Sequence, residues 1–382
     1  MNVAITTLVT PPTKIGIGNY VVNLVHALQR VDRQNRYFVF VGPDTRHLFN
    51  FSAPNFYPIV LPFTHDPRWL MRPLYFAWQN TLAGFYCRQH QIDVMHLPNL
   101  LPLIVRHIPT VITIPDLAEF STRRYATVRQ QYRRMMLLHS SKKADRVIAI
   151  SNHTKQDLVR FAGIDDGKID VTYLASCLSP QSFIHLETMG DESLADTPSY
   201  ILYVGNTLPH KNLKRVIEAY AILHETHHIS HRLLLVGPKD STLTEIMALA
   251  GQLRIDKHID LLGYVDDTKL AKLYRNAALF VFPSLSEGFG LPVLEAMTMG
   301  APVVTSNVSS LPEVAGDAAI LVDPENPHAI ADGMWAIIGN DSLRSSLVEK
   351  GKRQASKFTW EKCALETIAA YYKTAGHDHS SL

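Results

Sequence analysis

Short apolar runs alternate with helical patterns along the chain. Asn2 to Leu8, Tyr37 to Val41, Val94 to Leu97, Thr110 to Ile114 and Arg146 to Ile150 read as buried strands. A helix is predicted from about Asn19 to Arg30, with Val21, Leu24, Val25 and Leu28 on one face. Asp157 to Phe161 belongs to a short helix opened by Ser151-Asn152. From Leu186 to Ser199 the pattern turns polar and reads as a linker. It then restarts, with strands at Tyr200 to Val204, Arg232 to Val236, Ile259 to Leu262, Leu279 to Phe282, Pro302 to Thr305 and Ala319 to Val322. Helices such as Leu213 onward and Asp267 to Asn276 separate them, and Trp360 to Tyr372 is amphipathic.

Alternation of this kind implies parallel sheets with right-handed crossovers. The expected fold is α/β, with two Rossmann-like domains facing across a cleft, at 1–180 and 198–357. Residues 358–382 close the chain with a helix and tail that could pack back onto the first domain, a point the pattern alone does not decide. A chain of 382 residues is long for one domain. Ligands of open α/β sheets bind outside the carboxyl ends of the strands, so the cleft is the expected site.

Hydrophobic residues make up 46% and charged residues 19%, an ordinary globular balance. The net charge of +2 gives no bulk attraction for a nucleic acid. Cys87, Cys177 and Cys363 fit no metal or disulfide spacing, so free thiols in a reducing, cytoplasmic compartment are expected. The N-terminal segment is too short and unbasic for a signal peptide, and no apolar run is long enough to span a bilayer.

The most informative stretch is FVFPSLSEGFGLPVLEAMTMGAPVV, Phe280 to Val304. An apolar strand leads into a Gly-Phe-Gly-Leu-Pro turn and then a helix. Pro292 suits a first helical turn, where its missing N–H costs nothing. Such a turn aims backbone N–H groups and the positive helix end at a phosphate or sugar oxygen. Glu287 in the turn and Glu295 in the helix, with seven residues between them, can reach different hydroxyls of one ligand. Glycines at 288 and 290 permit close approach of Gly288, Phe289, Gly290 and Leu291. Lys211, in PHKN before another helix, supplies a cation for a diphosphate. Surface glutamates flanking a turn and a surface lysine are the plainer readings.

These motifs resemble glycosyltransferase family 4, the retaining nucleotide-sugar enzymes of the GT-B fold. The matching segments are YILYVGNTLPHKNLKRVIEAYA (200–221), LLGYVDDTKLAKLYRNAALFVFPSLSEGFGLPVLEAM (261–297) and GAPVVTSNVSSLPEVAGDAAILVDPENP (300–327). FTWEKCALETIAAYY (358–372) looks like the family's return helix; GIGNYVVNLVHAL, IDVMHLPN and ADRVIAISNHTKQDL match the first half more loosely. Within the family the chain looks most like bacterial mannosyltransferases of surface polysaccharide assembly.

The resemblance implies roles. Glu287 contacts hydroxyls of the transferred sugar and Glu295 those of the ribose. They act as clamps, not as the acid and base of a glycosidase. Lys211 holds the diphosphate, and Tyr264 and Val265 hold the base through backbone groups. The loop of Gly16 and Gly18 approaches diphosphate or acceptor; it lacks the third glycine of a dinucleotide fingerprint. The chain departs from the pattern at two places. Asn206 and His210 stand where relatives carry a second cation. Pro115, in TIPDL, replaces a histidine near the sugar's reactive carbon. Asp116 remains to orient the acceptor or act as base, and His96 is a further candidate unless it is simply packed.

The expectation is therefore a retaining hexosyltransferase with Glu287, Lys211 and Asp116 as catalytic groups. It would move mannose from GDP-mannose, or a hexose from a UDP-sugar, to a hydroxyl of a glycan or polyprenyl-diphosphate-linked glycan. Alternatives are a non-catalytic nucleotide-sugar-binding scaffold subunit, motivated by Pro115 and Asn206, and a GT-B sugar-nucleotide epimerase. No D-x-D motif or metal-ligand spacing occurs, so neither metal nor cofactor is expected. Asp266 and Asp267 read as helix caps. Trp69, Tyr75, Phe76 and Trp78 among Arg68 and Arg72 suggest a membrane-surface patch, together with Arg123, Arg124, Arg129, Arg133, Arg134, Lys142 and Lys143. A solvated charged face is the plainer reading. The expected location is the cytoplasm, at the inner face of the membrane.

Overall fold

A computed structural model describes residues 1–8, 10, 16–98, 103–117, 128–179, 199–238 and 242–376. The chain forms two compact units: Met1–Leu174 with Thr359–Leu382, and Ala175–Phe358. The expected linker at 186–198 lies outside the described residues.

The first unit holds a parallel sheet of seven strands: β1 (Asn2–Thr6), β2 (Arg36–Val41), β3 (Phe56–Val60), β4 (Val94–Leu97), β5 (Thr110–Ile114), β6 (Arg146–Ala149) and β7 (Ile169–Val171). Their order is β3-β2-β1-β4-β5-β6-β7. Every strand predicted here forms, although β1 and β6 stop short of their predicted ends. β3 was not anticipated, because Pro58 interrupts its pattern. It is an edge strand, where a missing N–H does no harm.

Helices cover both faces of this sheet. Ala4, Phe40, Met95, Ile112 and Val147 point to one face, packed under α2 (Arg68–Asn80), α3 (Ala83–Gln89) and α4 (Val128–Lys143). α5 (Asn152–Ala162) adds Leu158 to that core. Ser151 caps α5, its Oγ accepting from the Thr154 amide at 3.0 Å, and Gly163 closes it in the left-handed region. The other face is covered by α1 (Ile17–Val31) and the last helix of the chain, α13 (Trp360–Ala375).

α13 belongs to the first unit although it is last in sequence. Trp360, Cys363, Ala364, Ile368 and Tyr371 are buried. Arg30 on α1 pairs with Glu361 at 2.8 Å, and Lys373 with Asp170 at 2.5 Å.

The second unit repeats the plan with six parallel strands: β8 (Tyr200–Val204), β9 (Arg232–Val236), β10 (Ile259–Gly263), β11 (Leu279–Phe282), β12 (Val303–Ser306) and β13 (Ala319–Val322). The order β10-β9-β8-β11-β12-β13 is the doubly wound Rossmann arrangement. Among the described residues seven helices connect and cover it: α6 (Leu213–His227), α7 (Leu243–Gln252), α8 (Asp267–Asn276), α9 (Leu291–Met299), α10 (Leu311–Ala315), α11 (Pro327–Ile338) and α12 (Asp341–Ala355). The order reverses between β8 and β11, which pair through Leu279↔Ile201 and Phe280↔Leu202. Chains leaving their carboxyl ends diverge to opposite faces and open a crevice there.

The expected aromatic surface patch is corrected in part. Tyr75 and Trp78 are core residues, 1% and 5% exposed, because positions 71, 75 and 78 fall on the inward face of α2. Arg123 and Arg124 lie outside the described residues.

Candidate functional site: the reversal point of the second sheet

Two loops meet where the strand order of the second unit reverses. After β8 the chain passes through Asn206 and a single 3-10 turn, Pro209–Lys211, before entering α6. After β11 it passes through Glu287 and the glycine turn into α9. The Leu285 amide and the Ser284 hydroxyl both donate to the His210 carbonyl at 2.8 Å. Buried Asn212 sits in the left-handed region, φ 62°, at the start of α6. Its side-chain amide donates to the carbonyls of Pro283 and Pro324, at 2.8 and 2.7 Å. The Tyr203 hydroxyl, 3.1 and 3.3 Å from the carbonyls of Asn206 and Lys211, ties the loop to β8.

This scaffold brings the ammonium of Lys211 to 2.6 Å from Oε1 of Glu287 and 5.3 Å from the centre of the Phe282 ring. Only 17% and 12% of the two side chains is exposed. Glu287 is held by its backbone as well. Its amide donates to Ser309 Oγ at 2.9 Å, and its carbonyl accepts from the Ser309 and Ser310 hydroxyls at 2.7 and 2.9 Å. Ser310 Oγ also lies 2.8 Å from the Phe289 carbonyl. The glycine turn ends at Gly290, φ 110°, where a side chain is strained and a Cβ would lie 2.7 Å from Leu311. Phe289 is buried against Phe358, so this turn offers its backbone and not its aromatic ring.

Glu295, on the fifth position of α9, is only partly exposed. Burial, with the nearby Asp267 carboxylate, pushes its pKa up to about 8 despite a long hydrogen bond from Tyr274, 3.4 Å. At neutral pH this carboxyl is mainly protonated. Hydroxyls donating to this carboxyl would favour its ionised form.

Tyr264 is 71% exposed just past β10, and Asp266 caps α8 by accepting from the Lys269 amide at 2.7 Å. Beside them a small cavity is lined by Tyr203, Gly205, Thr207, Val236, Gly237 and Gly263. Gly237 closes against β8 so tightly that a Cβ would meet the Gly205 carbonyl at 2.0 Å. The second unit thus gathers Lys211 with Glu287, and holds Asn206, His210, Tyr264, Val265 and Glu295 on the strand-end loops and α9. Gly16 and Asp116 belong to the first unit. Gly16 precedes α1 with φ 54° and open space around it, and Asp116 is exposed just after β5.

His96 is not a site residue. It is fully buried in the first unit, with Nδ1 2.7 Å from the Tyr371 hydroxyl and Nε2 2.9 Å from Thr113 Oγ1. Thr113 in turn lies 3.0 Å from the Tyr20 hydroxyl. Burial drives the imidazole pKa down to about 3, so the ring is neutral. This chain of polar groups fastens α1 and α13 to β4 and β5.

Sequence reasoning missed Asn212, Ser309, Ser310 and Tyr203. The pair Ser309-Ser310 precedes a helix that starts Leu311-Pro312, a visible capping signal. What the pair grips, 22 residues upstream, is visible only in the fold.

Two doubly wound parallel sheets in one chain, the last helix belonging to the first unit, define a class. Superposition on solved structures identifies it as the GT-B glycosyltransferase fold. Sucrose-phosphate synthase from Thermosynechococcus elongatus matches with a TM-score of 0.75 at 21% identity, over 97% of this chain and 98% of that one. Anabaena HepE, solved with UDP-glucose, matches with 0.71 at 18% identity, over 97% and 100%.

The sequence narrows the class further. The Glycosyltransferase Family 4 model matches residues 15–175, and the model described as Glycosyl transferases group 1 matches 187–354. O-antigen chain mannosyltransferase B of Escherichia coli is 31% identical over 93% of this chain and 95% of its own length. The chain belongs to glycosyltransferase family 4.

Proposed function

We propose that this glycosyltransferase is a retaining, metal-independent hexosyltransferase. It moves mannose from GDP-mannose to a hydroxyl of a glycan or polyprenyl-diphosphate-linked glycan. The observation that carries the reading is the meeting of Lys211 and Glu287 at the strand-order reversal, with Glu295 on the helix that follows. A cation and free helix N–H groups there suit a diphosphate. Carboxyl groups on either side of the turn suit two sets of vicinal hydroxyls, those of the sugar at Glu287 and of the ribose at Glu295. Mannose is favoured because the E. coli relative is named a mannosyltransferase. A sugar nucleotide as donor is favoured by the fold likeness to HepE, which was solved with UDP-glucose.

In the reaction the bond between the anomeric carbon and the diphosphate oxygen breaks, and negative charge grows on the leaving diphosphate. Lys211 and the amides of the glycine turn stabilise that charge without reorganising. The acceptor hydroxyl attacks from the face the diphosphate leaves, and a phosphate oxygen takes its proton. Asp116 of the first unit is assigned to orient the acceptor, in place of the histidine that Pro115 supplants. Three free cysteines favour a cytoplasmic setting.

The test is incubation with radiolabelled GDP-mannose, UDP-glucose and other sugar nucleotides plus lipid-linked acceptors. Labelled glycan is expected from GDP-mannose. Release of free or epimerised sugar nucleotide without glycan, or binding without turnover, would overturn the reading.

A further inference from the structure

β11 pairs with β12 as far as Phe282 and Thr305, and beyond that point the chain leaves the ladder to run through the site. Buried carbonyls there need other donors. Four hydroxyls from the end of β12 and the loop after it supply them. Thr305 Oγ1 donates to the Phe282 carbonyl at 2.8 Å, and Ser306 Oγ to that of Ser284 at 2.5 Å. The Ser309 and Ser310 hydroxyls reach the Glu287 carbonyl, and Ser310 also reaches that of Phe289. Thr305, Ser306 and Ser310 are fully buried.

Two features set these serines apart from ordinary loop residues. Ser310 stands directly before α10, where a serine commonly caps, yet its hydroxyl caps none of that helix's amides. Ser309 sits in the left-handed region, φ 62°, uncommon for a residue with a side chain. Backbone of that kind persists where its surroundings over-determine it. Both hydroxyls are committed to the opposite loop instead.

The grips fall on different parts of the site. A trans peptide is planar, so its carbonyl and the following N–H point in opposite directions. The peptide of Ser284 and Leu285 gives its carbonyl to Ser306, and its N–H donates to the His210 carbonyl at 2.8 Å. The Ser284 hydroxyl donates to the same His210 carbonyl. Through one peptide unit, Ser306 therefore fixes the residue before Lys211. Ser310 acts on other peptides. By holding the carbonyls of Glu287 and Phe289, it turns the N–H groups of Gly288 and Gly290 away from the β12 loop. It also fixes the backbone that carries the Glu287 carboxylate.

We propose that Ser306 and Ser310 are positioning residues that set the two halves of the site separately. Ser306 places Lys211 through the Ser284–Leu285 peptide, and Ser310 places Glu287 and the glycine turn. Assigning the first half to the diphosphate and the second to the sugar rests on the proposed donor site. The two grips themselves do not.

Ser306→Ala and Ser310→Ala, made in the full chain, test it. Neither change adds volume to the core, and Tm checks that both proteins fold. In the ligand-free protein, amide hydrogen exchange read by mass spectrometry should quicken over residues 206–212 in Ser306→Ala. In Ser310→Ala it should quicken over 287–291 instead. GDP affinity should fall about threefold to tenfold in Ser306→Ala, the worth of about one hydrogen bond, and stay within about twofold in Ser310→Ala. At saturating donor, kcat for sugar transfer should fall several-fold in Ser310→Ala and little in Ser306→Ala. Exchange that quickens equally over both segments in both variants overturns the proposal. So does a fall in Tm with exchange, affinity and kcat all at their wild-type values. No binding of GDP, UDP or ADP by the wild type, with the expected exchange pattern intact, overturns the donor site and leaves the two grips standing.

Discussion

Lys211 and Glu287 lie 76 residues apart in the chain, and their side chains meet at 2.6 Å. Neither charge is well hydrated where it sits. Each holds the other in place at the strand ends where the sheet opens, so the pair is a preset polar centre. In the proposed function an arriving diphosphate shares the lysine with the glutamate. Removing one partner alone strands the other charge in a partly dry site, which costs more than the pair itself is worth.

Lys211→Met is therefore expected to weaken nucleoside diphosphate binding about tenfold to a hundredfold, the worth of a charge-assisted hydrogen bond or two. Glu287→Gln should leave nucleotide affinity nearly intact and lower the rate of sugar transfer. The double variant should lose less than the sum of the single losses, because the two groups are in contact. Calorimetry with GDP and initial-rate kinetics on the four proteins check this.

Glu295 predicts a pH dependence. Its pKa in the unliganded protein is pushed up to about 8, and ribose hydroxyls donating to it favour the ionised form. Nucleotide binding must then release a proton below that pH, so affinity should rise from pH 6 to 8 and level off above. Glu295→Gln should flatten the curve. The same shift has a stability sign. The folded protein binds this proton more tightly than the unfolded chain, so stability falls as pH rises from the ordinary carboxylate range to about 8. Glu295→Gln should raise the unliganded Tm above pH 8 while impairing binding.

The Ser309–Ser310 grip on the Glu287 backbone predicts a loss of geometry without a loss of charge. Ser309→Ala takes the side-chain partner from the Glu287 amide and one donor from its carbonyl. Transfer should fall several-fold through kcat, with stability changed by only about 1 kcal/mol. Ser309→Thr, which keeps the hydroxyl, should restore part of the rate. A change confined to Tm would assign the serine to folding alone.

His96 predicts acid sensitivity of the first unit. Its folded pKa, about 3, lies below the ordinary value of 6.5, so the unfolded chain binds the proton more tightly. Stability is fully present above pH 6.5 and is lost as pH falls toward 3. Urea midpoints should show this decline, and His96→Leu should shrink it while lowering stability at pH 7. Tyr371→Phe, which breaks the bond to Nδ1, should cost about 1–2 kcal/mol.

Much of the second unit was legible because its chemistry is local. Strand, glycine turn, proline and helix occur in order within 25 residues, and each has a backbone reason for its place. Lys211 stood out because it precedes a helix. Interactions made at a distance were not legible. Asn212 looks like a helix cap in sequence, yet its side chain bridges Pro283 and Pro324, far along the chain. His96 ends an apolar run, and only the return of α13 shows what fills its nitrogens. The aromatic patch failed for a simpler reason. Tyr75 and Trp78 share a helical face, but composition alone cannot say which face is buried; the neighbouring Leu74, Leu82 and Phe85 carry the exposed surface instead.

In the proposed function the reversal point of the second sheet binds a nucleoside diphosphate through Lys211 and Glu295. Calorimetric titration of GDP into the wild-type protein, Lys211→Met and Glu295→Ala tests it most directly, with Tm confirming that all three fold. Saturable binding to the wild type is expected, weakened at least about tenfold in each variant. Equal affinity in all three proteins, or no binding of GDP, UDP or ADP by the wild type, would contradict it.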